Sequence, residues 1–279
     1  MDKTCVHPEG SENTENDYYV YTPVNPKAEE SFPLVIVNHG SGANARVCES
    51  FGWIELAGKN RFMLVMAENT EPEYLHGIIQ EITASYPVDT SRVYMTGTSL
   101  GAYRTKAYAG MYPNEVAAIA PMNASFGFLD GVDGDAALLK SMKMPMLFVA
   151  GTADVYHMLP VMNQANPQRG SIAAWNVLVE MQGFPEYTIT EEESRQLLES
   201  TTDLLEYYTG LRLSQAIVHN YVNNRTFEIN FTADDGPSLL SLIVEENGSH
   251  EPLGYDAEFA WNFFAHFSRD TQTGTLFIH

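Results

Sequence analysis

The feature that most constrains this chain is a train of short apolar runs separated by segments of helix length: Pro33 to Asn38, Phe62 to Ala67, Arg92 to Thr96, Val116 to Pro121 and Met144 to Ala150. Strands that are apolar throughout, rather than at alternate positions, are covered on both faces. Between the runs, Glu49 to Lys59, Glu71 to Ser85 and Leu100 to Tyr112 have helical spacing, and Pro87 and Pro113 stand where helices must have stopped. Strand and helix in alternation predict a mostly parallel central sheet with helices on both faces, an α/β fold. At 279 residues one core suffices, and we expect a single domain over residues 31–279. Residues 1–30 read as a polar N-terminal arm with one edge strand at Tyr18-Tyr19-Val20-Tyr21.

After Asp154 the pattern loosens. Helices are expected at Ile172 to Met181 and Glu191 to Tyr208, and strands at Ala216 to Tyr221, Thr226 to Thr232 and Leu239 to Glu245, with a turn at Asn223-Asn224. Asp256 to Phe267 is expected as a closing helix with Phe259, Phe263, Phe264 and Phe267 toward the core.

Charge narrows the partners. Fifteen Lys and Arg against 36 Asp and Glu give a net charge of −21, which repels phosphate backbones and anionic lipid. We therefore expect neither nucleic acid nor a membrane as partner. The start, Met1-Asp2-Lys3-Thr4, lacks the apolar core of a signal peptide. As written nothing exports the chain, and a removed leader would make it secreted. Cys5 and Cys48 are compatible with either a disulfide or two free thiols.

The sharpest motif is Gly97-Thr98-Ser99-Leu100-Gly101, directly after one apolar strand and directly before a helix. In a nucleophile elbow the serine sits on a tight strand-to-helix turn, and flanking glycines keep Cβ atoms off the neighbouring backbone. That turn makes Ser99 the candidate nucleophile. It also puts the backbone N–H of Leu100 at the positive end of a helix, where a developing oxyanion is stabilised.

A second loop, His39-Gly40-Ser41-Gly42, closes the strand Val35 to Asn38. It is the place for the second oxyanion donor, and the Ser41 N–H is the candidate. The same stretch also fits a dinucleotide fingerprint, Gly40-x-Gly42-x-x-Ala45, with Glu68 at the end of the next strand as a ribose-binding acid. Under that reading the protein is an NAD-dependent oxidoreductase. It explains neither the elbow nor the late histidine.

A serine needs a base to take its proton and a carboxylate to fix the imidazole. Asp154 ends the strand Met146 to Val149 through Gly151-Thr152-Ala153, 55 residues after Ser99. Asp130, Asp133 and Asp135 precede that strand and read as loop residues. Of the later histidines, His250 follows the strand Leu239 to Glu245 and the turn Asn247-Gly248-Ser249, so its loop projects over the sheet edge that holds Ser99. His157 is the alternative base, whereas His219, His266 and His279 read as surface or packing residues. No metal is expected, since Asp130-x-x-Asp133-x-Asp135 breaks calcium-loop spacing and His250-Glu251 has no second histidine at zinc-protease spacing. No cofactor is expected either. Met142, Met144, Met146, Met158 and Met162 read as core filler.

These motifs resemble those of the α/β-hydrolase esterases that include feruloyl esterases, acetyl xylan esterases and polyhydroxybutyrate depolymerases. The run Tyr86 to Gly101 is similar to that family's approach to its nucleophile, as are Tyr112-Pro113 and Val116 to Pro121 after it. His39 to Gly42, Gly52-Trp53 and Leu56-Ala57 are similar to its oxyanion loop and first helix, and Trp261 to Phe264 to its last helix. The resemblance implies the α/β-hydrolase fold, a triad of Ser99, Asp154 and His250, and a small-molecule, oligosaccharide or polymer ester as substrate. Within that chemistry, polyester and amide or peptide hydrolysis stay open, as does a non-catalytic carbohydrate- or ester-binding protein. Asp154 and His250 are further apart in the chain than the family leads us to expect. We expect the excess to form a helical cap insertion near residues 156–213, with Tyr187, Tyr207 and Tyr208, together with His39 and Trp53, as candidate substrate contacts. Ala102-Tyr103-Arg104, bulkier than the family's usual residues, leaves the substrate class open.

Overall fold

The computed structural model describes residues 1–11, 13–127, 141–156, 158–162, 172–221, 225–232 and 236–279. His157, Asp130, Asp133, Asp135 and the Asn223-Asn224 turn lie outside the described residues.

The elements follow in the order β1 (Asp2–Val6), β2 (Tyr18–Thr22), β3 (Phe32–Asn38), α1 (Trp53–Asn60), β4 (Met63–Ala67), α2 (Pro72–Ser85), β5 (Val88–Thr98), α3 (Leu100–Met111), β6 (Ala118–Met122) and β7 (Met146–Gly151). Then come α4 (Ile172–Gln182), α5 (Glu191–Ser200), α6 (Leu204–Thr209), β8 (Ile217–Tyr221), β9 (Thr226–Phe231), β10 (Leu240–Glu245), α7 (Asp256–Phe264), β11 (Phe267–Arg269) and β12 (Leu276–Ile278). Ten strands form one sheet in the order β1-β2-β4-β3-β5-β6-β7-β10-β9-β8. The six from β4 to β10 pair in parallel. Antiparallel strands flank them on both sides.

The period of two along each strand divides the interior. Leu34, Ile36, Met63 and Val65 join the cluster that packs Leu75, Ile78 and Ile82 of α2, Tyr108 of α3 and Trp175 and Leu178 of α4. Val35, Val37, Leu64 and Met66 face the other cluster, with Trp53 and Leu56 of α1 and Phe263 and Phe264 of α7. Helices therefore cover both faces, and each fully buried large side chain contributes about 1.5–3 kcal/mol. Because β5, β7 and β10 run parallel, their C-terminal ends share one edge, where α/β sheets hold their ligands.

Several expectations need correction. Tyr18–Thr22 is not the edge strand, because Asp2–Val6 pairs outside it. That strand has no apolar alternation for a sequence reading to find, being exposed along nearly its whole length. The helix expected over Glu49 to Lys59 breaks at Gly52, whose φ of +82° suits glycine and where a Cβ would run into the carbonyl of Gly254. The long helix expected to Tyr208 is two, because the Asp203 side chain accepts the N–H groups of Leu205 and Glu206 and starts a new one. Phe267 belongs to β11 rather than to the closing helix.

Within the expected cap, α4 is an ordinary flanking helix, its Trp175 packed edge-on to Phe126 and Phe231 in the core. Leu205 of α6 joins the same core cluster as Trp175, while α5 packs against α6. Cys48 is buried and Cys5 exposed, and both are free thiols.

Candidate active site

Ser99 stands between β5 and α3 with φ +54° and ψ −117°. A non-glycine residue there is strained by about 1–3 kcal/mol, and hydrogen bonds hold it. Its N–H donates to the Met122 carbonyl at 3.0 Å, and its carbonyl accepts the N–H of Ala102 at 3.0 Å. The glycines are sterically required. A Cβ on Gly97 would lie 2.8 Å from Asn38 Cβ, and one on Gly101 would lie 2.7 Å from the Asn38 carbonyl carbon and the His39 oxygen. The elbow is thus wedged against the end of β3, and a bond from Asn38 Nδ2 to Thr105 Oγ1 at 3.1 Å fastens β3 to α3.

That wedge brings the β3 loop to the serine. The Cβ position of Gly40 is 3.5 Å from Ser99 Cβ, and Ser41 follows in the turn closed by Ala43 N–H to Gly40 oxygen at 3.2 Å. Leu100, at the first position of α3, is 37% exposed. His39 is engaged by the backbone. Its Nδ1 bonds the Gly40 carbonyl at 2.9 Å and its Nε2 the Glu68 carbonyl at 3.0 Å, so it fixes the loop.

Asp154 is buried at the end of β7, and its Oδ2 lies 2.9 Å from His250 Nδ1. A carboxylate only accepts, so Nδ1 carries the hydrogen and Nε2 is left as the acceptor. The other oxygen, Oδ1, accepts the Tyr156 N–H at 2.8 Å. The Tyr156 ring meets the imidazole edge-on, centroids 4.5 Å apart. Asn123, at the end of β6, donates from Nδ2 to the His250 carbonyl at 3.2 Å. The two loops are also joined through backbone: Ala153 N–H donates to Gly248 oxygen at 2.9 Å and Asn247 N–H to Thr152 Oγ1 at 2.8 Å. Gly151 and Gly248 pack face to face there, with no room for a side chain on either.

The remaining expected substrate residues separate. Trp53 is 1% exposed and edge-on to Phe62 in the core. Tyr187 is buried against Phe231, 4.9 Å between centroids. Each fills space between helix and sheet. Tyr207 and Tyr208 do line a cleft of about 370 Å³ with Thr152, Leu159, Pro160 and Leu198. Tyr208 Oη donates to Glu246 Oε1 at 2.8 Å, which ties α6 to the start of the loop that carries His250.

The dinucleotide reading loses its parts. Ala45, the third position of that fingerprint, opens a short 3-10 helix over Ala45–Phe51. Glu68 Oε2 accepts the Ala45 N–H at 3.2 Å and so braces the loop. Asn123 and Tyr156 were missed by sequence reasoning. Asn123 directly follows an apolar strand that ends on the same sheet edge as Ser99, and that placement was the available signal.

The architecture defines the class: the chain has the α/β-hydrolase fold. In sequence it is 28% identical over 112 residues to poly(3-hydroxyalkanoate) depolymerase C of Paucimonas lemoignei, covering 32% of this chain and 27% of that protein. It is 28% identical over 138 residues to feruloyl esterase B of Talaromyces funiculosus, covering 48% and 32% respectively. The chain thus spans about a third or less of the length of these curated relatives. Among solved structures, the acetyl xylan esterase of Aspergillus awamori superposes with a TM-score of 0.58 at 14% identity, covering 95% of this chain and 99% of that one. The feruloyl esterase module of Clostridium thermocellum gives 0.52 at 11% identity, covering 89% and 82%. At these identities the structural likeness establishes the fold. No family model matches the sequence. The group that the sequence motifs resemble is the group these comparisons return.

Proposed function

We propose that this protein is a serine carboxylic ester hydrolase that works through an acyl-enzyme. The observation that carries the reading is the Asp154–His250 hydrogen bond at 2.9 Å, on the sheet edge where Ser99 sits at a strained positive φ. Ser99 Oγ attacks the ester carbonyl and His250 Nε2 takes its proton. Asp154 holds the imidazole in the tautomer that permits this and stabilises the imidazolium that forms. The N–H groups of Leu100 and Ser41 receive the oxyanion. The alkoxide leaves with the proton from His250, and water, activated by the same imidazole, releases the acid.

The substrates we favour are feruloyl or other small acyl esters of plant carbohydrate, in line with the names of the similar proteins, with short polyesters as the second class. The cleft lined by Tyr207 and Tyr208 abuts Thr152, two residues before Asp154, and we assign it to the acyl or alcohol group. A fluorophosphonate probe followed by peptide mass spectrometry tests the nucleophile. The expected result is one adduct, on Ser99, absent from Ser99→Ala. A folded protein that takes no label overturns the reading. Methyl ferulate, naphthyl acetate, short p-nitrophenyl esters and a hydroxybutyrate oligomer then rank the acyl groups.

A further inference from the structure

Glu245 and Asp256 bracket the segment that carries His250. Glu245 ends β10, five residues before the histidine, and Asp256 opens α7, six residues after it. Each is 1% exposed, and the two carboxyls act directly on each other. Asp256 Oδ2 accepts the Leu253 N–H at 2.7 Å. Glu245 Oε1 and Oε2 and Asp256 Oδ1 are buried and find no hydrogen-bond donor among the described residues. The Tyr255 hydroxyl stands beside Glu245 and is also bonded to Thr226 Oγ1 at 3.2 Å. Two carboxylates only accept, so the contact between them needs a hydrogen that a carboxyl proton provides.

Among the described residues, none supplies a cation in place of that proton. The groups acting on the pair are the two carboxyls themselves and Tyr255. Arg225, from the start of β9, turns to Glu246 at 4.0 Å, and Asp154 and His250 are occupied with each other. The loop also wraps the glutamate closely. A Cβ on Gly248 would stand 2.6 Å from Glu245 Cβ and 2.9 Å from its Oε2, and the Gly248 oxygen accepts the Ala153 N–H of the acid loop. A displaced Glu245 side chain would therefore move the turn that joins Asp154 to His250.

We infer that Glu245 and Asp256 share one proton and clamp the two ends of the His250 segment, which makes the pair a positioning element for that imidazole. The clamp rests on the geometry of the pair, and its effect on chemistry rests on the serine-hydrolase reading. Burial and the neighbouring Glu245 charge push the Asp256 carboxyl up to about 9, so hydroxide removes the shared proton in the alkaline range. Two adjacent carboxylates then repel, and the His250 loop loosens.

The test is the rate of fluorophosphonate labelling of Ser99 in the full chain between pH 7.5 and pH 10, with Ser99→Ala as background. The wild-type rate is expected to fall about tenfold or more, reversibly. In Glu245→Gln, where an amide N–H replaces the shared proton, the fall is expected to stay under about threefold. Asp256→Asn provides the same comparison should the first variant not fold. A wild-type rate that does not fall, or an equal fall in wild type and a folded variant, overturns the clamp while leaving the serine reading intact. Absence of labelling at every pH in folded protein instead overturns the serine reading, and with it any positioning role.

Discussion

His250 Nδ1 sits 2.9 Å from Asp154 Oδ2 across 96 residues of chain, on two loops that follow adjacent parallel strands. The bond fixes which imidazole nitrogen is left to accept a proton, and under the serine-hydrolase proposal the three residues act as a unit whose losses are not additive. Ser99→Ala or His250→Ala is expected to lower turnover by about six orders of magnitude, and Asp154→Asn by about four. Steady-state kinetics on p-nitrophenyl acetate check this. A double variant, Ser99→Ala with Asp154→Asn, should be little worse than Ser99→Ala alone.

Glycine placement makes a second expectation. Gly151→Ala pushes a methyl into the backbone of Gly248, whose Cα would be 2.9 Å away, and parts the acid loop from the His250 loop. A loss of about 1–3 kcal/mol in stability is expected from the overpacking, with a fall in kcat larger than the unfolded fraction explains. Gly77 serves as the opposite case. Within α2 its Cβ position meets nothing within 4 Å, so Gly77→Ala should stabilise by about 0.5–1 kcal/mol with unchanged kcat. Urea unfolding beside initial rates measures both.

Much of this architecture was legible because parallel strands buried on two faces are written as unbroken apolar runs, and because an elbow needs glycines at fixed spacing. Ser99, Asp154 and His250 each fall at the end of such a run. What was not legible depends on contacts remote in sequence. Trp53 and Tyr187 read as available aromatics, yet each fills a gap between a helix and the sheet. β1 is an exposed edge strand without alternation. The kinks at Gly52 and Asp203 come from a neighbouring carbonyl and from a cap, each of which overrides helical spacing. Asn123 carried only a positional cue, and Tyr156 none.

The α6 cleft has its own expectation. Tyr207 is 55% exposed, and Tyr208 is committed to Glu246. Tyr207 is therefore the ring free to stack on an aromatic acyl group, an interaction worth about 0.5–1.5 kcal/mol beyond the area it buries. Tyr207→Ala should raise KM for methyl ferulate about three- to tenfold while leaving naphthyl acetate kcat unchanged. Equal KM values in both proteins would assign the aromatic acyl group elsewhere.

Stability should carry the signature of the buried acid pair. The folded Asp256 carboxyl is raised above its unfolded value, so the folded state holds the extra proton between about pH 4 and about pH 9. Stability from that group is complete below the unfolded value and declines as pH rises through the folded one. In Asp256→Asn the term is absent. The melting temperature of the wild type minus that of the variant should therefore decrease steadily from pH 5 to pH 9, and a constant difference would mean that the carboxyl titrates normally.

The two thiols give the last expectation. Cys5 lies exposed on β1, whereas Cys48 is buried, and burial first, with Glu68 nearby, pushes its thiol up to about 12. Reaction requires the thiolate and access to it, and Cys48 has neither in the folded protein. An aromatic disulfide reagent at pH 8 should consume one thiol per native chain and a second only after denaturation. Cys5→Ser should abolish the native reaction with no change in esterase rate, because the strand bearing it lies at the far edge of the sheet from β7 and β10. Rapid native modification of Cys48 would show that the turn over Ala45–Phe51 opens, and would then link that opening to the oxyanion loop it follows.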